Sequence, residues 1–330
     1  MTDPAYFRYR FGSSHLASTI ALPVLPALPA VAESTPDIIL DAGPAQDALP
    51  PVEHWLHHWP TANGAITLSL AAADAGYRLR FPGLCDFLID AAATRCQALP
   101  VQGLDPHTLE HLVVDQLLPR MLAHRGTLVA HASVVHTDAQ AMLFLGHSGW
   151  GKSTLASLLH GRGLGLLSDD CALLEPGGTG TCVLPTYPSL RMFGDSIGQT
   201  LGAEATTSPV SAYSPKQRLT VTLGTAHRDG QAWPLQAIYL LNDPARPARS
   251  ISITPLPPAL ACMALVEHSF RLDLAAGGQT AQMLRQAAQV LHQVPAFGLH
   301  YRRDYATSAA LLDTLLGHAA DLSTAARESR

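Results

Sequence analysis

The stretch "AMLFLGHSGWGKSTLASLLHG", Ala141 to Gly161, constrains this chain more than any other. Five apolar residues lead into Gly146-His147-Ser148-Gly149-Trp150-Gly151-Lys152-Ser153, which fits G-x-x-x-x-G-K-[ST] at every position, and a helix-forming run follows. Glycines let the backbone curl so that successive N–H groups converge on one point, and the start of the next helix adds a partial positive charge there. Strand, loop and helix in that order predict a phosphate cradle. Lys152 is set to bridge the β- and γ-phosphates of ATP or another nucleoside triphosphate, Ser153 to ligate Mg²⁺, and Thr154 to complete the nucleotide-binding stretch.

The helix "STLASLLH" stops at Gly161, and "LGLLSDD" then reads as a short apolar strand ending on Asp169 and Asp170. Phosphoryl transfer needs two carboxylates with different duties, one for Mg²⁺ and one to take the proton of an attacking hydroxyl. Adjacent acids also raise one another's pKa, which helps one of them act as a base near neutrality. Alone, "SDD" is as good a solvated turn; close behind the loop lysine it becomes a candidate catalytic pair.

The rest of the chain predicts a mixed α and β protein with a smaller β-rich N-terminal module over residues 1–104 and a P-loop domain over 105–330. "AITLSLAA" (Ala65–Ala72) and "YRLRF" (Tyr77–Phe81) alternate as strands do, while "HWLHHWP" (His54–Pro60) reads as a half-buried aromatic and histidine patch, not a metal site. Asp105 and Pro106 open a helix with apolar residues at helical spacing that Gly126 closes. "TLVAHASVV" reads as one strand, "CALLEPGGTGTCVL" as a hairpin, "LQAIYLL" and "FGLHYRR" as further strands, and helices are expected at Pro258–Val266, Gln279–Gln293 and from Ala306. Gly277 and Gly278 read as a turn before the second of these helices.

Composition removes several classes. A net charge of −5 with 14% charged residues argues against sequence-independent nucleic-acid binding, which needs clustered Lys and Arg. The 5 cysteines form no C-x-x-C pair, so neither a disulfide framework nor a zinc ribbon is expected. The apolar stretch His15–Ala32 ends in an A-x-A pattern like that of a signal peptide, but Pro23, Pro26 and Pro29 break any membrane helix and favour an extended path. The expectation is a cytoplasmic protein without membrane attachment.

"GTLVAHASVV", "GHSGWGKST" and "LLSDD", in this order, resemble the HPr kinase/phosphorylase family and its phosphoenolpyruvate-carboxykinase-like relatives, over Gly126 to Leu174. The resemblance implies that His131, on the strand before the loop, belongs to the active site. It also implies that one aspartate is the catalytic base and the other supports Mg²⁺; Asp169 is favoured as base, leaving Asp170 and Ser153 for the metal. "DFLIDAAATRCQALP", "LLPRMLAHRGTLVAHAS" and "YPSLRMF" look like the HPr-kinase-like subgroup that accompanies ribosomal peptide modification, including lasso-peptide kinases. The implied partner is a peptide or protein bearing a serine, and a homo-oligomer is compatible with it. The C-terminal basic motif with which true HPr kinases engage HPr is missing, so HPr is not the expected acceptor.

Arg191, Lys216 and Arg218 are candidate phosphate or substrate contacts by residue type, with surface salt bridging the equal alternative. "LAAGGQ" (Leu274–Gln279) imitates the signature of an ABC-type ATPase, but no apolar strand ending in Asp-Glu follows it. Two other readings stay open: a small-molecule kinase of the same fold, and a nucleotide-binding interaction or regulatory module that transfers nothing.

Overall fold

The computed structural model describes residues 5–29, 35–61, 63–178, 180–187, 189–201, 207–220 and 230–328. Contacts divide the chain into two compact units. One comprises Met1–Thr127, Pro209–Pro215 and Phe270–Ala281; the other comprises Leu128–Ser208, Lys216–Ser269 and Gln282–Arg330. The division falls after Thr127 and not at residue 104, because the helical stretch from Pro106 is tied into the first unit. Glu110 accepts from the Val24 N–H at 2.9 Å, and Thr108 Oγ1 accepts from the Ala212 N–H at 2.9 Å.

In the first unit, period-two alternation builds β1 (Phe7–Phe11), β2 (Ser14–Ser18), β3 (Ile38–Ala42), β4 (His57–Pro60), β5 (Ile66–Ala73), β6 (Gly76–Phe81), β7 (Cys85–Asp90) and β8 (Arg95–Pro100). They form one 8-stranded sheet in the order β1-β2-β3-β8-β7-β6-β5-β4. Leu70 faces Leu79 across β5 and β6, and both are fully buried, the result expected when one face of an alternating strand is removed from water. The buried Asp86 carboxylate holds Arg78 at 2.7 Å and Arg80 at 2.6 Å.

The "HWLHHWP" patch becomes the edge strand β4 and its lead-in. His57 and Trp59 meet edge to face with ring centroids 4.4 Å apart, and the Arg80 and Arg120 guanidiniums lie over Trp55 and Trp59. Pro23 lies in a turn that the Leu25 N–H closes on the Leu22 carbonyl at 3.0 Å; beyond it the chain takes the extended path the prolines favour, beside β1, with the Arg10 N–H on the Pro26 carbonyl and the Leu28 N–H on the Arg8 carbonyl, each at 2.9 Å, and a bridge between Tyr9 and Ala27. Its A-x-A end, Ala30–Ala32, lies outside the described residues.

Asp105 caps the helix as expected, accepting from the Thr108 N–H at 2.9 Å. The helix is not uniform, however: between Pro106–His111 and Leu118–His124, residues Leu112–Leu117 form a wider π-helical turn, and Leu118 N–H bonds to Val113 O, five residues back. Pro119 supplies the reason, since it has no N–H to offer the preceding turn.

The second unit carries β9 (Leu128–Ala130), β10 (Ser133–His136), β11 (Ala141–Leu145), β12 (Gly165–Ser168), β13 (Ala172–Gly177), β14 (Gly180–Leu184) and β15 (Ser189–Met192). After these come β16 (Thr207–Ser211) and β17 (Ser214–Thr220), each of which has residues in both units, and then β18 (Trp233–Leu241), β19 (Ser252–Pro255) and β20 (Ala296–His300) of the second unit. A 9-stranded sheet runs β12-β10-β11-β18-β14-β13-β9, with β20 also beside β18 and β19 beside β20. The pairs β11–β18 and β18–β20 are parallel, whereas β10 is antiparallel to both β11 and β12. The strand before the loop and the strand that delivers the aspartates are therefore not neighbours.

One apolar core packs the loop helix Lys152–Gly161 and the C-terminal helix Ser308–Glu328 through Leu155, Leu159, Leu311 and Leu315. Another packs Leu265 of the helix Pro258–Glu267, and Met283, Ala287 and Val290 of the helix Gly277–Gln293.

Two sequence expectations are corrected here. "TLVAHASVV" is not one strand: it breaks at His131 and Ala132, because β9 pairs with β13 while β10 pairs with β11 and β12, and the chain must cross between partners. Gly277 and Gly278 are the first residues of their helix, with the Ala276 carbonyl accepting from the Gln279 and Thr280 N–H groups. Among the described residues, no helix is long and apolar enough to cross a membrane.

Candidate functional site

Gly146, Gly149 and Gly151 all have positive φ, at 153°, 83° and 91°. A side chain at Gly149 or Gly151 would be strained in the left-handed region, and at Gly146 a Cβ would press Trp150 at 3.2 Å, so the loop path requires glycine at these points. Inside the curl, Lys152 donates from Nζ to the Gly146 carbonyl at 2.7 Å and to the His147 carbonyl at 3.4 Å. It is 4% exposed, and burial lowers its pKa while Asp170 and Asp169 oppose that shift.

The strand end returns as the spacing predicts. β12 stops at Ser168, and Asp169 accepts from Ser153 Oγ at 3.0 Å, from Ser133 Oγ, and from the Arg191 N–H at 3.1 Å. Asp170 sits in the left-handed region at φ 65°, a conformation that Asp adopts more readily than most residues. It accepts from the Arg191 guanidinium and from His131 Nε2 at 2.8 Å. Because an ionised carboxylate can only accept, Nε2 carries the proton in that bond. The break between β9 and β10 is what aims His131 at Asp170: His131 lies between strands, not on the strand before the loop.

The carboxylates are electrostatically distinct. Burial, reinforced by the Asp170 charge, lifts Asp169 to about 6. Asp170 is held well below the ordinary carboxylate range because the Arg191 charge and the His131 hydrogen bond outweigh the cost of burial. Burial also lowers the pKa of His131, against the pull of Asp170.

A cleft of about 230 Å³ opens beside the loop. Ser148, Gly149, Gly151, Lys152, Ser153 and Thr154 form one side, Asp170, Arg191 and Lys216 the charged wall, and Leu155, Leu158, Phe193 and Tyr301 the apolar parts. Of the candidate basic residues, Arg191 is a buried clamp on both aspartates instead of a surface ion pair, and Lys216 lines the cleft near the Phe193 ring. Arg218 pairs with Arg191 in the β15–β17 register but is 3% exposed and does not line the cleft. Gly146, His147 and Trp150 belong to the loop without lining the cleft.

Sequence reasoning missed Ser133, although it stood inside the quoted strand, and Arg303. The Arg303 guanidinium, which also lines the cleft, lies 3.9 Å over the Tyr301 ring and donates to the Trp150 carbonyl at 2.8 Å and to Asn242 Oδ1 at 2.6 Å, which pins the loop. No motif around "HYRRD" announces that task.

The donor set at the loop base is a serine hydroxyl and carboxylates, all hard oxygen ligands, which fits Mg²⁺ better than a soft metal. No family model matches the chain, and no curated protein matches it. Among solved structures, the HPr(Ser) kinase/phosphatase from Coxiella burnetii is similar over 59% of this chain and 98% of its own, at 11% identity and a TM-score of 0.31. A likeness of that size carries no weight for fold or activity.

Proposed function

We propose that this chain is a Mg²⁺-dependent kinase that transfers the γ-phosphoryl group of ATP, or another nucleoside triphosphate, to a hydroxyl, the best candidate being a serine of a peptide or protein. The observation that carries the reading is the hydrogen bond from Ser153 to Asp169, which joins a glycine-rich loop to a carboxylate pair at the mouth of a cleft. Loop amides and Lys152 bind the phosphates, and Lys216, which also lines the cleft, adds positive charge. When bound, Mg²⁺ neutralises charge on the β- and γ-phosphates; Ser153 and Asp169 would hold it.

The acceptor oxygen forms a bond to the γ-phosphorus as the bond to the bridging oxygen breaks, and the acceptor proton passes to a carboxylate. The sequence expectation gave Asp169 that part. The geometry favours the opposite division: Asp170 lines the cleft and is oriented by His131 and Arg191, whereas Asp169 is fully buried and bonded to Ser153.

The serine acceptor rests on the sequence resemblance, and a small-molecule kinase with the same machinery is the second reading. Mass spectrometry of the full chain with ATP, Mg²⁺ and serine-bearing peptides tests the first: one added phosphoryl group on a serine is the expected result. Tight binding of Mg²⁺-ATP with no phosphorylated product from peptide, protein or small-molecule hydroxyls would overturn the kinase reading in favour of a nucleotide-binding module.

A further inference from the structure

Beside the loop, three side chains with metal-binding chemistry that do not line the cleft meet. His147 comes from the second position of the loop; Glu267 is the last residue of the helix Pro258–Glu267, and His268 caps it. One ligand atom from each lies within 4.8 Å of the other two. His147 Nε2 and Glu267 Oε1 are already 3.4 Å apart, and the His147 and His268 rings stand edge to face at 4.8 Å.

Zn²⁺ bonds to imidazole nitrogen and carboxylate oxygen are about 2.0–2.1 Å, so tetrahedral neighbours stand roughly 3.3 Å apart. One pair meets that spacing as it is. The remaining closure is a side-chain rotation, and the half-exposed His147 and exposed Glu267 have room to make it.

The third ligand is fixed. His268 is 7% exposed, its N–H bonds to the Ala264 carbonyl at 3.1 Å, and its carbonyl takes the His131 N–H at 2.6 Å. Two imidazoles and one carboxylate leave a fourth position for water, and the mixed nitrogen and oxygen set suits a borderline dication, not Mg²⁺ or Ca²⁺.

We infer that His147, Glu267 and His268 form a binding site for a Zn²⁺-class dication, separate from the oxygen-lined site at Ser153 and Asp169. Its position gives it a consequence. His147 is a loop residue, and the backbone of His268 is bonded to that of His131, whose side chain holds Asp170. An ion here ties the loop to the helix end and to the histidine beside the carboxylate pair. If the phosphate-cradle reading also holds, ion and nucleotide affinities are linked in both directions by the same factor.

The test needs no turnover. The chelator-treated full chain is titrated with Zn²⁺ alone against a chromophoric competitor, and with Co²⁺ for its visible absorption, alongside His147→Asn and Glu267→Gln. Both replacements alter exposed side chains that no core depends on. The expected result is one Zn²⁺ per chain, a tetrahedral Co²⁺ spectrum, and a loss in each variant beyond the roughly 10–100-fold that removing even an outer partner of a metal ligand produces. Zn²⁺ binding that is equal in the parent and both variants, or no binding by the parent at micromolar Zn²⁺, overturns the site. The contact would then be an exposed ion pair of small worth. Because nucleotide is absent from the titration, that failure is distinct from failure of the kinase reading.

Discussion

Ser153 donates its hydroxyl to Asp169 across 3.0 Å, fastening the first turn of the loop helix to the end of a strand that is not adjacent to the loop's own strand in the sheet. The intervening strand β10 contributes Ser133 to the same carboxylate. Three segments separated in sequence thus share one buried oxygen, and the loop base is preorganised by side chains as well as by its glycines.

Mg²⁺-nucleotide affinity should therefore depend on Asp169 ionisation. Its pKa stands at about 6, and a protonated carboxylate does not ligate a cation, so affinity should be flat above about pH 7 and fall by about tenfold per pH unit below 6. Calorimetric titration with Mg²⁺-ATP between pH 5 and 8 reads this directly. Asp169→Asn should weaken binding and erase the pH dependence; a preserved profile would assign it to another group.

Asp170→Asn should do the reverse, sparing Mg²⁺-ATP binding within a few-fold while lowering transfer by at least 10²-fold, the scale typical of losing a general base. Retained phosphorylation in this variant, with transfer abolished in Asp169→Asn at unchanged nucleotide affinity, would return the base's role to Asp169.

Lys152→Ala removes the donor to the Gly146 and His147 carbonyls as well as a phosphate contact. A hydrogen bond to a charged group contributes about 1.5–3 kcal/mol, so nucleotide affinity should fall by roughly 10–150-fold. Lys152→Arg should not restore it, because a planar guanidinium does not fit where an ammonium fits.

Arg191→Ala strips Asp170 of its cation while the carboxylate stays buried, which should destabilise the fold by about 3–5 kcal/mol at neutral pH. The sign with pH is fixed by direction. The folded pKa of Asp170 is depressed, so its contribution is present above its unfolded pKa of about 4 and fades as pH falls through the folded value. The stability gap between parent and Arg191→Ala should accordingly narrow in acid, as denaturant midpoints at pH 7 and pH 3.5 would reveal.

Legibility in the sequence followed the range of the interaction. The loop, its lysine and the aspartates are local features whose spacing is set by one helix and one short strand, and the structure brings them together. The break at His131 was hidden because "TLVAHASVV" contains no glycine, proline or polar run that marks a turn, and only the exchange of partners from β13 to β11 and β12 splits it. Arg191 could not be separated from a surface arginine, since its burial depends on strand β15 meeting β12 and on β17 beside it. Arg303 acts across 153 residues on the Trp150 carbonyl, a distance over which composition and periodicity say nothing. The boundary between the units escaped for a similar reason: Glu110 reaches back 86 residues to Val24.

The positive φ of Asp170 bears on how such a site could decay over evolutionary time. Most replacements there would disturb the backbone before they touched chemistry, because the left-handed region admits Gly, Asn and Asp far more cheaply than other residues. Asn keeps the shape, accepts from Arg191 through its one amide oxygen while its NH2 meets a His131 Nε2 that accepts in the other tautomer, and lies one base change away from an Asp codon. The nearest silent descendant of this protein would thus be a well-folded nucleotide binder with Asn at position 170 and an intact glycine loop, so a pseudoenzyme of this type would be betrayed by one amide and by nothing else in its architecture.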